Sequence, residues 1–288
     1  MPSLSPSPLE NRLFGVAATS ASNAWAVGYE REGSKYQTLI EHWNGSSWQR
    51  VPSPNPAGTE HLNQLTDVAA VSASDAWAVG QYFTGTRHHR LILHWNGSSW
   101  RQVTSPNATG RGILFGVAIV HGHLWASGTA SAVRQRSLIV ERKNGKWGRI
   151  AISGAGALIN ISGASRLNAW AVGYAFIGTN DMHVIWHWNG SSWHRVSSPR
   201  RGDFDSLDGA AAVSAGNAWA VGSYSASSAT HTLLLHWNGS SWRQVRSPDP
   251  AGGSDLRAVA ATSATNAWAV GASALSEEVT HALILRCH

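Results

Sequence analysis

Of the 288 residues only 13% are Asp, Glu, Lys or Arg, while 16 are tryptophan. That mixture argues against charged amphipathic helices and for an interior of aromatic and small side chains, as in closed all-β folds that reach this length as one domain. The net charge of +6 is scattered: Lys35, Lys143 and Lys146 are the only lysines among 22 cations, and no basic run exceeds two residues, which argues against a nucleic-acid partner.

Cys287 is the only cysteine, so there is no disulfide framework and no thiolate metal cluster, and neither a metal nor another cofactor is expected. No apolar run approaches the roughly 20 residues of a membrane span. Residues 1–10 lack the basic start and apolar core of a signal peptide, so the expected setting is cytoplasmic, or extracellular if a leader has been removed. A monomer is expected.

Taken in chain order, the sequence is a repeat array. Ala24-Trp25-Ala26-Val27-Gly28 returns at 76–80, 169–173, 218–222 and 267–271, with Leu124-Trp125-Ala126-Ser127-Gly128 as the loosest copy. The tryptophans at 25, 77, 125, 170, 219 and 268 are 45 to 52 residues apart, a period of propeller blades. Trp43-Asn44-Gly45-Ser46-Ser47-Trp48 recurs unchanged at 95–100, 188–193 and 237–242, and as Lys143-Asn144-Gly145-Lys146-Trp147. Asn-Gly between β-prone runs predicts a hairpin with a tight I′-type turn.

The first unit resolves into four runs, Leu13–Thr19, Ala24–Tyr29, Gln37–Trp43 and Trp48–Ser53. Four antiparallel strands repeated six times predict a single six-bladed β-propeller. Its blades span 13–54, 65–106, 114–152, 158–199, 207–248 and 256–288, the last completed by residues 1–8. Ser5-Pro6 matches Ser53-Pro54 in register, so the N-terminal strand is expected to close the ring. The alternative, an open solenoid, calls for polar caps that neither end supplies. The third unit, with Lys143 in place of the hairpin Trp and no Ser-Pro, is either decaying or adapted to a partner.

The hairpins and the turns before Ala24 and its equivalents hardly vary, and both belong to one face. The 4-to-1 and 2-to-3 connections on the opposite face differ in every unit, and variable loops on a rigid scaffold are the usual seat of binding. Tyr82, Phe83, His88, Tyr174, Phe176 and Tyr224 lie there. On the inner strands, Phe14, Phe115, Asp67, Asp208 and Arg257 are expected to ring the channel mouth. His42, His94, His187 and His236 precede each hairpin Trp, with Arg142 and Arg286 at the other two equivalents. One such residue per blade suits packing and hydrogen bonding between neighbouring blades better than a metal site. His89, His231 and His281 open third strands near the variable face.

The Trp-Asn-Gly-Ser-Ser-Trp hairpin resembles the turn of Asp-box propellers, and it is similar to the Trp-Asp-Gly-x-x-Trp repeat of six-bladed fucose-binding lectins. The resemblance implies a propeller used for carbohydrate or surface recognition. The lectins' acid three places before the hairpin Trp is Ile40, Ile92, Ile185 or Leu234 here, so their sugar site does not carry over.

Two functions follow. The first is a non-enzymatic binding module for a glycan or other small-molecule or surface ligand, favoured by the absence of Gly-x-Ser-x-Gly, a phosphate loop or His-Glu-x-x-His. The alternative is a glycan hydrolase, lyase or cyclase using Asp67, Asp205 and Asp208, within the acidic run 203–208 and across the mouth.

Overall fold

A computed structural model describes residues 3–106, 111–131, 135–177, 180–202, 204–226, 229–250, 253–274 and 280–287. Asp203, His288 and parts of the 4-to-1 and 2-to-3 connections lie outside the described residues. Among the described residues every regular element is a strand, arranged as six antiparallel sheets, one per repeat. The protein is an all-β, six-bladed β-propeller. The first blade runs β1 (Glu10–Ser20), β2 (Asn23–Glu32), β3 (Lys35–Trp43) and β4 (Trp48–Arg50), paired in that order. The outer strand stops three residues short of Ser53, where Pro52 and Pro54 withdraw the amides a ladder needs.

The chain divides into two compact units. One comprises Met1–Ile119, His123–Arg134 and Leu138–Ile150; the other comprises Val120–Gly122, Gln135–Ser137 and Ala151–His288.

Within each unit the repeat tryptophan is the centre of packing. Trp25 is fully buried, and its ring lies 5.0 Å from Trp95 and 5.1 Å from Trp100 of the next hairpin. Trp170 repeats the arrangement at 4.9 Å from Trp237 and 5.0 Å from Trp242. Trp25 and Trp170 are flanked by small residues, Ala24 and Ala26 in the first blade and Ala169 and Ala171 in the fourth, which leave each ring room between sheets. The glycine closing the motif has a different cause. A Cβ at Gly28 would stand 1.7 Å from the Arg12 carbonyl oxygen, and one at Gly173 would stand 2.0 Å from that of Ala157. The inner strand bulges at this point, between Leu13 and Gly15, and presses its backbone onto the glycine.

The hairpins differ from the predicted I′ turn. Trp43 pairs with Trp48, leaving a four-residue loop in which Gly45 has φ 97° while Asn44 does not enter the left-handed region. The Asn44 side chain makes the turn instead: its Oδ1 accepts from Ser46 N at 2.9 Å, Ser46 Oγ at 2.8 Å and Ser47 N at 3.0 Å. Only the degraded copy forms a two-residue turn, with Lys143 paired to Lys146 and both Asn144 and Gly145 at positive φ. Each full hairpin is pinned to the 1-to-2 turn of its own blade, as Trp43 Nε1 donates to the Ala21 carbonyl at 2.9 Å and Trp95 Nε1 to that of Ala73 at 3.0 Å.

The recurring histidines also bond within their own blade rather than between blades. His42 Nε2 meets Asn23 Oδ1 at 2.7 Å, and His94 meets Asp75 at 2.9 Å, each ring lying against the tryptophan of its own sheet. The antiparallel register sets each histidine opposite the strand-two tryptophan, and its partner lies two residues before that tryptophan on the same strand face, diagonal to the histidine.

The sixth sheet has three described strands, Ser254–Ser263, Asn266–Ala274 and Thr280–Cys287. The described N-terminal residues bond to the first blade: Leu4 N donates to Glu41 at 3.3 Å, and Ser7 Oγ to the Arg31 carbonyl. Pairing of residues 1–8 with the last sheet is not among the described pairs. Trp268, in the last repeat, is 48% exposed, whereas Trp25 and Trp170 are fully buried.

Two substitutions test this packing. Trp170→Ala should cost roughly 3–5 kcal/mol in denaturant unfolding, as large-to-small core changes do. Trp268→Ala should cost under about half of that, because much of its area is already exposed. Equal losses at the two positions would contradict the packing described.

Candidate functional site

The face opposite the hairpins carries an aromatic rim at the strand ends. In the first unit Tyr29 lies 5.8 Å from Phe14 and 5.5 Å from Tyr36. In the next blade Tyr82 stacks on His89 at 4.8 Å, and Phe83 lies 4.8 Å from His88. His88 Nδ1 also meets Gln81 Oε1 at 2.7 Å. In the second unit Tyr174 meets Phe176 edge-on at 5.8 Å, and Tyr224 stacks on His231 at 5.0 Å. The tyrosine–histidine pairs arise because strands two and three place these residues opposite one another near the 2-to-3 connection, Tyr82 across from His89 and Tyr224 across from His231, whereas Tyr174 and Phe176 are alternate residues of one strand. Phe176 is 52% exposed and Phe14 is 49% exposed, while Phe115 is partly buried and belongs to no such pair.

The acids take three separate roles. Asp67 is structural: its Oδ1 accepts from Val68 N and its Oδ2 from Val117 N, both at 2.9 Å, tying the inner strands of blades two and three. Burial pushes this carboxyl up to about 7 in spite of the two amides. Asn160 does the same work in the fourth blade, with its Oδ1 accepting from Ala210 N at 3.3 Å. Asp205 turns away from Asp208 on the alternating strand Phe204–Ser214 and faces His183.

Asp208, by contrast, belongs to a charged group with Asp255 and Arg257. Arg257 is held by Asp255, whose Oδ2 lies 3.0 Å from both its Nε and an Nη, while Asp255 Oδ1 accepts from Ala272 N at 3.0 Å. Burial first, and then the Asp255 charge, push the Asp208 carboxyl up to about 6 against the pull of Arg257. Asp255 and Arg257 line a cavity of about 540 Å³ between blades five and six, together with Thr230, Ser254, Thr280 and several alanines. Hydroxyl-bearing residues, small apolar walls and one ion-paired arginine thus share this cavity. Sequence reasoning places Asp255 only among the acids across the ring and does not pair it with Arg257; the signal for the pairing is its place two residues before Arg257 on the same strand face.

Among the described residues no group of three or more His, Cys, Asp or Glu is placed to hold a metal. Nor is any helix there long and apolar enough to cross a membrane.

No protein-family model matches the chain, and no curated protein does. Solved structures do. YCF48 from Cyanidioschyzon merolae superposes with a TM-score of 0.54 at 15% identity, over 93% of this chain and 95% of that one. A structure of YCF48 bound to D1 peptide gives 0.53 at 14% identity, over 92% and 91%. At such identities the likeness establishes the fold alone.

Asp67 generates a pH prediction. Its folded value lies above the ordinary carboxylate range, so the native state holds a proton that the unfolded chain releases. Its contribution is therefore greatest below about pH 4 and is lost as pH rises toward 7. Asp67→Asn should keep the link to Val117, flatten the stability profile between pH 4 and 7, and raise stability at pH 8 by on the order of 1–3 kcal/mol. Urea unfolding at both pH values measures it, and a variant less stable than wild type at pH 8 would refute it.

Proposed function

We propose that this propeller is a binding module that takes a glycan or similar polyhydroxylated surface ligand on the face opposite its hairpins. The observation carrying this reading is the 540 Å³ cavity, where Arg257, fixed by Asp255, stands beside the hydroxyls of Thr230, Ser254 and Thr280. A guanidinium paired to one carboxylate oxygen keeps further N–H donors in a planar fork for a ligand. The rim aromatics, Tyr224 beside the cavity's blade and Tyr82, Phe83, Tyr174 and Phe176 elsewhere, offer ring faces against which sugar rings bury area. A peptide ligand is the second reading, and what favours it is the similar propeller solved with D1 peptide bound.

A glycan array on the purified protein, followed by calorimetric titration of the best ligand, separates the two. Arg257→Ala should weaken glycan binding by roughly tenfold or more, about 1.4 kcal/mol, with the melting temperature little changed. Tyr174→Ala should act in the same direction to a smaller degree. Binding that is instead abolished by Trp95→Ala in the folded protein would place the working face on the hairpin side. An array without hits, together with binding of extended peptides, would favour the second reading.

A further inference from the structure

One repeat position departs from its equivalents in a way the scaffold does not require. Five residues before each hairpin tryptophan, a side chain on strand three faces the serine of the Ser-Pro that ends strand four. In blades one and five this is a hydroxyl clamp, Thr38 to Ser53 at 2.7 Å and Thr232 to Ser247 at 2.6 Å, and in blade two Arg90 Nε donates to Ser105 at 3.2 Å. In blade four the position is His183, whose Nε2 lies 2.6 Å from Ser198 Oγ. On the other side of the imidazole, Nδ1 lies 2.8 Å from Asp205 Oδ2. Asp205 Oδ1 also accepts from His183 N at 2.6 Å, which fixes the carboxylate against the ring. The equivalents of Asp205 are Asn11, Asn63, Gly112, Gly156 and Ser254, none of them an acid.

Serine, imidazole and carboxylate therefore stand in the order of a nucleophile, its base and a charged neighbour: Nδ1 and Oδ2 meet at ion-pair distance but off the line of a hydrogen bond, so Asp205 acts on the ring through its charge and through its bond to the His183 amide. The His183 and Asp205 side chains are only 1% and 3% exposed, whereas Ser198 is partly exposed. Ser198 lines a cavity of about 440 Å³ with His183, Arg195, Val196, Ser197 and Arg200. Burial alone would raise the Asp205 carboxyl, but the close ring and charge of His183, with the His183 and Arg201 amides, hold it below the ordinary carboxylate range. It stays ionised beside the ring, as a carboxylate acting through its charge must.

We propose that Ser198 is an acyl-accepting nucleophile and that this cavity takes a carboxylic ester. Ser198 Oγ bonds to the ester carbonyl carbon as its proton passes to His183 Nε2. The carbon–alkoxy bond then breaks, and the leaving oxygen takes that proton and departs as an alcohol. Water, deprotonated by the same nitrogen, cleaves the acyl-serine, releasing the acid and returning the proton to Ser198. Arg195 and Arg200 line the cavity, and their guanidinium groups are the donors the proposal assigns to the transient oxyanion and to an anionic acyl group. The proposal is independent of the glycan reading, since it uses none of the Arg257 cavity.

The test is covalent labelling of the full-length protein with a fluorophosphonate probe, mapped by peptide mass spectrometry, alongside hydrolysis of a p-nitrophenyl ester. The expected result is one adduct, on Ser198, absent from Ser198→Ala. His183→Thr rebuilds the clamp of blades one and five, so it should remain folded by circular dichroism while its labelling rate falls at least about 100-fold, the scale of a lost general base. Asp205→Asn should label more slowly without losing Ser198 as the target. No adduct on folded wild type under conditions that label a control serine hydrolase would overturn the proposal. Labelling of His183→Thr at the wild-type rate would do the same.

Discussion

The fold depends on repeat tryptophans buried between neighbouring sheets, with Trp25, Trp77 and Trp170 each lying against hairpin tryptophans of the next blade. A buried tryptophan removes roughly 150–250 Å² from water, and a ring that size fits between two sheets only if its flanks are small. That accounts for the alanines on either side of Trp25, and for a hairpin that must stay in one position above the neighbouring ring. The hairpin is held by its own first tryptophan, which donates to the preceding turn in four of the blades, at Ala21, Ala73, Arg166 and Ala215. One face of the blades is thereby committed to packing. The other bears no such duty, and its connections are free to differ.

This division was legible in the sequence because both landmarks are local and repeat. Hairpin conformation was less so. Asn-Gly favours a two-residue turn, but Trp43 and Trp48 pair across four residues, and the Asn44 side chain then satisfies the amides that a tighter turn would have satisfied by backbone geometry. The histidine partners were misassigned to neighbouring blades although each lies 19 residues upstream in its own. That constant spacing is the antiparallel register itself. Asp67 was read as a ligand group because an acid on an inner strand looks available. Its partner is the backbone amide of Val117, 50 residues on, and an amide leaves no mark in the sequence. Asp208 and Arg257 stand out in the repeat alignment because they share a position that is Phe14, Thr66, Phe115 or Ile159 in the other blades, so charge there is visible without a structure.

The same comparison of equivalents gives the Ser198 cluster its weight. A threonine satisfies the serine of Ser-Pro in blades one and five with a single neutral hydrogen bond, so the clamp needs no charge. Placing imidazole and carboxylate there instead withdraws two ionisable groups from water, and replacing such a pair by neutral residues is often neutral or stabilising. Stability therefore gives no reason to prefer His183 and Asp205 over neutral residues such as Thr38 and Thr232 at the first position and Asn11, Asn63 or Ser254 at the second. The Asp205 carboxylate must be bonded on both oxygens to remain charged, and it is, through His183 and the Arg201 amide. What the arrangement gains over the neutral clamp is a basic nitrogen oriented onto a partly exposed hydroxyl at the edge of a cavity. A costlier solution at one of several equivalent positions, with the added groups aimed at a nucleophile, is accounted for by chemistry at that position rather than by packing.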